Sequence, residues 1–394
     1  MPGPCAYDRP RRIRRGAALT LFLAGVVAAG AVTGTWDERA ADGAESLAHR
    51  PADTPALGRA AGERGAADGK SGAQAAAEAV SRSGDRWAAV YSPGEFADFQ
   101  DALAGAYVGV GLSVRQRDGD EVTVSRVRPG GPADRAGIAA GDRLDAIDGR
   151  PVRGRPVTET VARLRGDGPD GPGAGPAAAG SPVRLELRRG DRHWSVTLRR
   201  ARLRTPNVTV DRPSGGGPTR IGITSFARGT GAAVRRAVAA ADPRRGLLLD
   251  LRGNTGGLVT EAVATASVFL DGGLVATYDV HGSQRALYAR GAGDTRTPLV
   301  VLVDGGTMSA AELLSGALQD RGRAVVVGTP TFGKGSVQMP RTLPDGSVAE
   351  LTVGHYRTPS GRAVDGAGIT PDVLAGDHAE RRARTVLSGL GTGA

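Results

Sequence analysis

The sequence predicts an α/β core with an inserted β-rich domain, behind a single N-terminal transmembrane helix. Three observations carry this. From Thr219 onward, short apolar runs alternate with segments of helical period, the pattern of a sheet laid between helices. Between Tyr107 and Leu198, β-branched runs are punctuated by glycine-rich turns. Ahead of both, Arg9, Arg11, Arg12, Arg14 and Arg15 precede a mostly apolar, uncharged run over 16–36. At roughly 20 residues that run is long enough to cross a bilayer.

Taken in order, residues 1–15 form a basic flank that stays cytoplasmic, and 16–36 is the membrane anchor. The rival for 16–36 is a cleaved signal segment, with Ala29-Gly30-Ala31 as a small-residue cleavage site; both readings export the rest of the chain. Residues 37–84 are rich in Ala, Gly and charge without a sustained apolar face, a flexible stalk with one helix near Ala73 to Ser81. Trp87, Tyr91, Phe96, Phe99 and Leu103 give 85–106 the spacing of a helical element that packs on the core. In the β-rich domain, 107–203, strands at Tyr107 to Val114, Val122 to Val127, Val183 to Leu187 and Trp194 to Leu198 are expected. A helix is expected near Val157 to Arg165, with a Gly/Pro/Ala loop over Gly166 to Ser181.

The α/β core is assigned to 204–378. Its strands are Thr219–Ile223, Gly246–Leu251, Leu299–Val303 and Ala324–Val327, and its helices lie near Gly231–Ala241, Val259–Phe269 and Ser309–Gln319. Val337 to Tyr356 contains Pro340, Pro344 and the turn Asp345-Gly346, so it reads as strand, turn, strand. Residues 379–394 read as a C-terminal tail.

Composition excludes several function classes. The net charge of +10 and pI near 10.6 invite a nucleic-acid reading, but five arginines belong to the membrane flank and the rest are interspersed with acids. Aromatics are only 4%, too few for base-stacking platforms, so no nucleic-acid partner is expected. His49, His193, His281, His355 and His378 are scattered without metal-ligand spacing, and Cys5 is the sole cysteine. No metal site, disulfide framework or cysteine nucleophile is expected. His355 lies in a strand-like run, where a histidine more often packs than reacts.

Gly328 to Lys334 matches the G-x-x-x-x-G-K of a phosphate loop. However, Gly335 stands where a Mg²⁺-binding hydroxyl is needed, and a hairpin follows where a helix should start. The other use of a lysine in an apolar neighbourhood is as an amine stripped of its proton. Burial disfavours the ammonium and lowers its pKa by several units, which makes a usable base. A strand over Lys334 to Gln338 points both side chains to one side. Ser309 sits at a strand-to-helix turn, where backbone N–H groups can stabilise an oxyanion. Ser309-x-x-Glu312 is equally a capping box, and no G-x-S-x-G elbow occurs near it. Gly256-Gly257, after a buried strand, allows close approach of backbone to a ligand.

These segments, with Tyr356 to Arg362 and Gly368 to Val373, resemble in content and order the carboxyl-terminal processing peptidases, or tail-specific proteases. The resemblance runs from about Asp85 to Val373. It implies an α/β protease core with an inserted PDZ-like domain and a Ser-Lys-Gln catalytic set. Carried over, Ser309 is the nucleophile, Lys334 the general base and Gln338 the residue that orients the lysine. Ala310, through its N–H, and a glycine of Gly256-Gly257 form the oxyanion hole. In the PDZ-like domain, Gly109, Val110, Gly111 and Leu112 match the loop that holds a substrate's terminal carboxylate.

Three departures from the family pattern are Met308, which could narrow the substrate cleft, Thr255 in place of proline, and Asp304 where asparagine is common. The implied protein is a single-pass cell-membrane enzyme with its catalytic part extracytoplasmic, or a secreted one after signal cleavage. It acts on protein or peptide substrates with exposed C-terminal tails and needs no cofactor. Self-association stays open. The rival function is a PDZ-bearing scaffold with an inactive protease core.

Overall fold

The computed structural model describes residue 80 and residues 85–117, 120–166, 177–280 and 283–391. The expected basic flank, membrane segment and all of the stalk but Val80 lie outside these residues. No helix among the described residues is long and apolar enough to cross a membrane.

The chain opens on strand β1 (Ala89–Tyr91) and helix α1 (Pro93–Leu103). Residues 85–106 were expected to be helical throughout. Ser92 divides them, because its hydroxyl accepts from Glu95 N–H while the Glu95 carboxylate accepts from Ser92 N–H, a reciprocal cap that fixes the helix start. Upstream of that cap the chain is extended and pairs with a later strand. Tyr91 and Phe99 then stack at 5.5 Å across the strand–helix junction.

The inserted domain is entered by β2 (Ala106–Gly109) and comprises β3 (Leu112–Arg117), β4 (Glu121–Val127), α2 (Pro132–Arg135), β5 (Arg143–Ile147), β6 (Arg150–Pro151), α3 (Val157–Arg165), β7 (Pro182–Arg189) and β8 (Arg192–Arg199). It is left by β9 (Ala201–Arg204), which pairs antiparallel with β2, so entry and exit form one ribbon. The sheet order is β3-β4-β5-β7-β8, with β6 on β5, and β3 is an edge strand that α3 lies against. Its own core gathers Val122, Val124, Leu144, Ile147, Leu185 and Leu187. Residues 167–176 of the expected Gly/Pro/Ala loop lie outside the described residues.

The α/β core comes next: β10 (Val208–Asp211), β11 (Thr219–Ile223), α4 (Thr230–Ala239), β12 (Leu247–Asp250), α5 (Val259–Phe269), β13 (Leu274–Val280), β14 (Ser283–Tyr288), β15 (Leu299–Val303), α6 (Ala310–Asp320), β16 (Val325–Gly328), β17 (Ser336–Thr342), β18 (Val348–Arg357), β19 (Val373–Leu374) and α7 (Ala379–Gly391). One sheet has the order β10-β11-β12-β15-β16-β19, parallel except for β10. Its β12 and β15 are buried at every position, as parallel strands covered on both faces must be. Helices α4, α5 and α6 bury one face. The other face, through Leu248, Val300, Leu302 and Val327, meets Ala379, Ala383 and Leu387 of α7.

Residues 379–394 are therefore no tail as far as Gly391. Their apolar positions recur every four residues on an arginine-rich helix, a stripe too narrow to stand out in the sequence, yet it closes the core. A second sheet, β1-β18-β13-β14 with β17 on β18, carries the expected hairpin. The β13–β14 pair in it was not anticipated.

Candidate active site

Ser309 lies between β15 and α6, buried at 1% exposure. Its backbone sits at φ 51°, ψ −116°, outside the comfortable range for a residue with a Cβ. Such strain persists only where the surroundings impose it. The capping-box expectation holds on one side alone: the Glu312 carboxylate accepts from Ser309 N–H at 2.8 Å, while Glu312 N–H goes to the Ser309 carbonyl. The hydroxyl Oγ has no hydrogen-bond partner among the described residues, so it is not spent as a cap.

The turn is held from β12. Asp304 Oδ1 accepts from Gly253 N–H and Gly306 N–H at 2.8 and 2.9 Å, and Asn254 O accepts from Met308 N–H at 2.8 Å. Asp304 thus binds the two loops together. Asp250 anchors the base of the 252–257 loop through Arg220 and Arg252. Burial works to raise the Asp250 pKa, but hydrogen bonds from Arg252 and Arg220 outweigh it and leave the carboxyl below its usual value.

Gly256 packs against Ser309: a Cβ there would stand 3.0 Å from Ser309 Cβ and 3.3 Å from Ala310 N. Its N–H is committed to Asn254 Oδ1 at 2.9 Å and is not available to a ligand in this geometry. Met308 is 2% exposed and belongs to the interior, so it does not narrow an open cleft as the sequence suggested.

Lys334 reaches this region on the loop before β17 and is 1% exposed. Its Nζ donates to Gln338 Oε1 at 3.0 Å, and Gln338 Nε2 donates to the Trp87 carbonyl. Burial lowers the Lys334 pKa from its ordinary value to about 8, against the attraction of Glu350, Asp85 and Glu312. An amide partner holds the amine without adding charge that would restore the proton.

The flanking glycines have a packing reason. A Cβ at Gly335 would stand 2.3 Å from Asp365 N, and Gly333, at φ +88°, packs on the backbone of 366–368. Strand β17 follows directly, so the helix that a phosphate loop needs is absent here.

Glu312, fully buried, couples the two halves. One carboxylate accepts from Ser309 N–H, Thr331 Oγ1 (2.5 Å), Gly333 N–H (2.7 Å) and Lys334 N–H (2.9 Å). Burial nonetheless leaves its pKa raised, against those four bonds. The sequence suggested a cap and hid this latch, since the partners lie about 20 residues downstream.

The sequence also gave no hint of Trp87 in the site. Its ring centroid lies 5.1 Å from Lys334 Nζ and 5.7 Å from Phe332, while Asp85 accepts from Thr352 N–H and Oγ1, both at 3.0 Å. His355, which could have approached the site, is exposed and lies 3.9 Å from Asp365.

In the inserted domain, the Val110 and Gly111 carbonyls accept from Ala133 N–H (3.0 Å) and Arg128 N–H (2.9 Å). A trans peptide points the next N–H the opposite way, so Gly111 and Leu112 direct their N–H groups away from these partners. Gly109 is taken up in the β2–β9 ribbon, at the root of the loop.

Residues 219–375 match peptidase family S41, and residues 123–170 match a PDZ domain. The carboxy-terminal processing protease CtpA of Bacillus subtilis (strain 168) is 32% identical over 70% of this chain and 58% of its own length. Carboxyl-terminal-processing peptidase 2, chloroplastic, of Arabidopsis thaliana is 35% identical over 71% of this chain and 56% of its own. The chain thus spans somewhat more than half the length of these curated relatives. Among solved structures, the photosystem II D1 C-terminal processing protease aligns with 29% identity and a TM-score of 0.48, over 82% of this chain and 86% of that one.

Proposed function

We propose that the chain is a member of peptidase family S41, whose pattern residues 219–375 match, and that it is an exported serine endopeptidase that cuts proteins near their C-termini. The observation that carries the reading is the buried Lys334 amine, depressed to about 8 and held by an uncharged amide. Such an amine accepts a proton near neutral pH, which an exposed lysine does poorly. Ser309, whose hydroxyl is not engaged elsewhere, attacks the scissile carbonyl as Lys334 takes its proton. The N–H groups of Ala310 and Gly257 receive the oxyanion. Lys334 returns the proton to the leaving amine, and water activated by the same amine releases the acyl group.

The substrate's tail adds as a strand along the β3 edge, with its carboxylate at the N–H groups of Gly111 and Leu112. Residues 16–36 export the catalytic part and anchor it in the membrane unless cleaved near Ala29 to Ala31. The decisive experiment measures cleavage of a model unfolded protein by the unsubstituted chain and by Ser309→Ala and Lys334→Ala. Both substitutions should abolish it. Cleavage that survives Ser309→Ala would reject the peptidase reading in favour of a PDZ-bearing binding protein.

A further inference from the structure

We propose that Glu350 is a positioning residue of this site: its buried carboxyl governs the charge on Lys334 and steadies the ammonium formed when Lys334 takes the Ser309 proton. Glu350 lies on β18 opposite Pro340 of β17 and Ala89 of β1. Directly opposed residues of antiparallel strands share a face, and alternate residues return to it. Pro340, Gln338, Thr352 and Glu350 therefore point to one side of the hairpin, the side on which Gln338 holds Lys334 Nζ. Glu350 is 0% exposed, and neither of its carboxylate oxygens has a hydrogen-bond partner among the described residues.

An anion buried without hydrogen bonds is costly, and it persists only if it is protonated or faces a cation. The cation at hand is Lys334, the only lysine among the described residues. The groups bearing on the pair are Tyr91 from β1, Asp85 ahead of it and Glu312 from α6; the Tyr91 hydroxyl also lacks a hydrogen-bond partner among the described residues. Burial pushes the Glu350 carboxyl up to about 7, with Lys334 pulling it down, and Glu350 is the strongest of the three carboxylates that keep the proton on Lys334. Two groups coupled in this way titrate as a pair.

The proton balance fixes the role. As Ser309 attacks, its O–H bond breaks and an N–H bond forms on Lys334, while the oxygen's electron pair goes to the carbonyl carbon. The new ammonium faces the Glu350 carboxylate until it gives the proton to the leaving amine. The inference rests on the peptidase reading for this use of the ammonium. The coupling itself can be measured without any substrate.

The sequence makes that measurement clean, because the chain has two lysines, Lys70 and Lys334. In the full-length chain labelled with 13Cε-lysine, Lys70 serves as internal reference and Lys334 should titrate in two steps, one of them reporting Glu350. In Glu350→Gln, burial is no longer opposed by the strongest of the three carboxylates, so the Lys334 midpoint should fall by about one pH unit. The acid limb of kcat/KM should move down with it, and the plateau should drop. Glu350→Asp should keep the midpoint nearer the unsubstituted value than Glu350→Gln does. A packing role would lower the plateau and leave the limb in place. A single-step Lys334 titration in the unsubstituted chain, or an unmoved midpoint in the folded Glu350→Gln variant, overturns the proposal. A chain that shows the coupling but cleaves nothing would instead sink the peptidase reading.

Discussion

A buried lysine with an amide for a partner can serve as a base only by losing its charge, and this sets what can replace it. Lys334→Arg keeps length and charge, but guanidinium stays protonated in proteins. Cleavage should therefore be abolished, at least ~100-fold, since a general base contributes on that order or more. Retained turnover in Lys334→Arg would remove Lys334 from the role of base. The same amine sets the pH profile of the unsubstituted chain. Its depressed value of about 8 means that the base form is gained as pH rises through that region. Initial-rate measurements should show kcat/KM climbing with pH to a plateau above it. A profile flat from pH 6 to 9 would contradict the assignment.

At the level of elements, β1, with Trp87 just ahead of it, comes to Lys334 and Gln338 from more than 240 positions earlier in the chain. Its approach brings the Trp87 ring over Lys334 and the Trp87 carbonyl to Gln338. Two effects of the ring oppose one another. A cation–π contact with a desolvated ammonium favours it by about 2 kcal/mol, roughly one and a half pKa units. Shielding from water disfavours it by up to several units and so prevails. In Trp87→Ala the Lys334 midpoint should move up by about one unit, and the acid limb of the profile should follow, whereas Trp87→Phe should hold most of the original position. Lysine titration by NMR checks this directly, and a downward or absent shift would show that the ring does not desolvate the amine. Gly333 and Gly335 act at the same scale. They let the lysine loop settle on the backbone of 365–368, a contact that any Cβ would push apart.

Across the whole molecule, the parallel sheet sits between α4, α5 and α6 on one face and α7 on the other. The Ser309 turn and the Asp250 loop both sit at strand ends of that sheet, so covering its second face supports them. Leu387 is 5% exposed against it. Leu387→Ala should cost about 2–4 kcal/mol, the usual range for truncating a buried leucine. The loss should appear as a lower midpoint in urea unfolding, with kcat of the folded protein little changed. An unmoved midpoint would mean that α7 is not part of the cooperative core. Glu380 of α7 also approaches Arg220 and Arg252, the partners of Asp250, so the helix adds charge to the network beneath the 252–257 loop.

What the sequence determined by itself is whatever depends on neighbours along the chain. Apolar runs gave β12, β15 and β16, and the Asp345-Gly346 turn gave the β17–β18 hairpin. The Lys334–Gln338 spacing put the two side chains on one side, where their hydrogen bond forms. Tertiary structure decided what depends on residues far apart. It left the Ser309 hydroxyl uncapped, because at that strained turn the Glu312 N–H goes to the Ser309 carbonyl instead. It split 85–106 into strand and helix, because β18 offered an edge to pair with. It turned the supposed tail into α7, because a parallel sheet has two faces to bury. Trp87 and Glu350 were silent in the sequence for the same reason, since each acquires a role only when three strands meet around one amine.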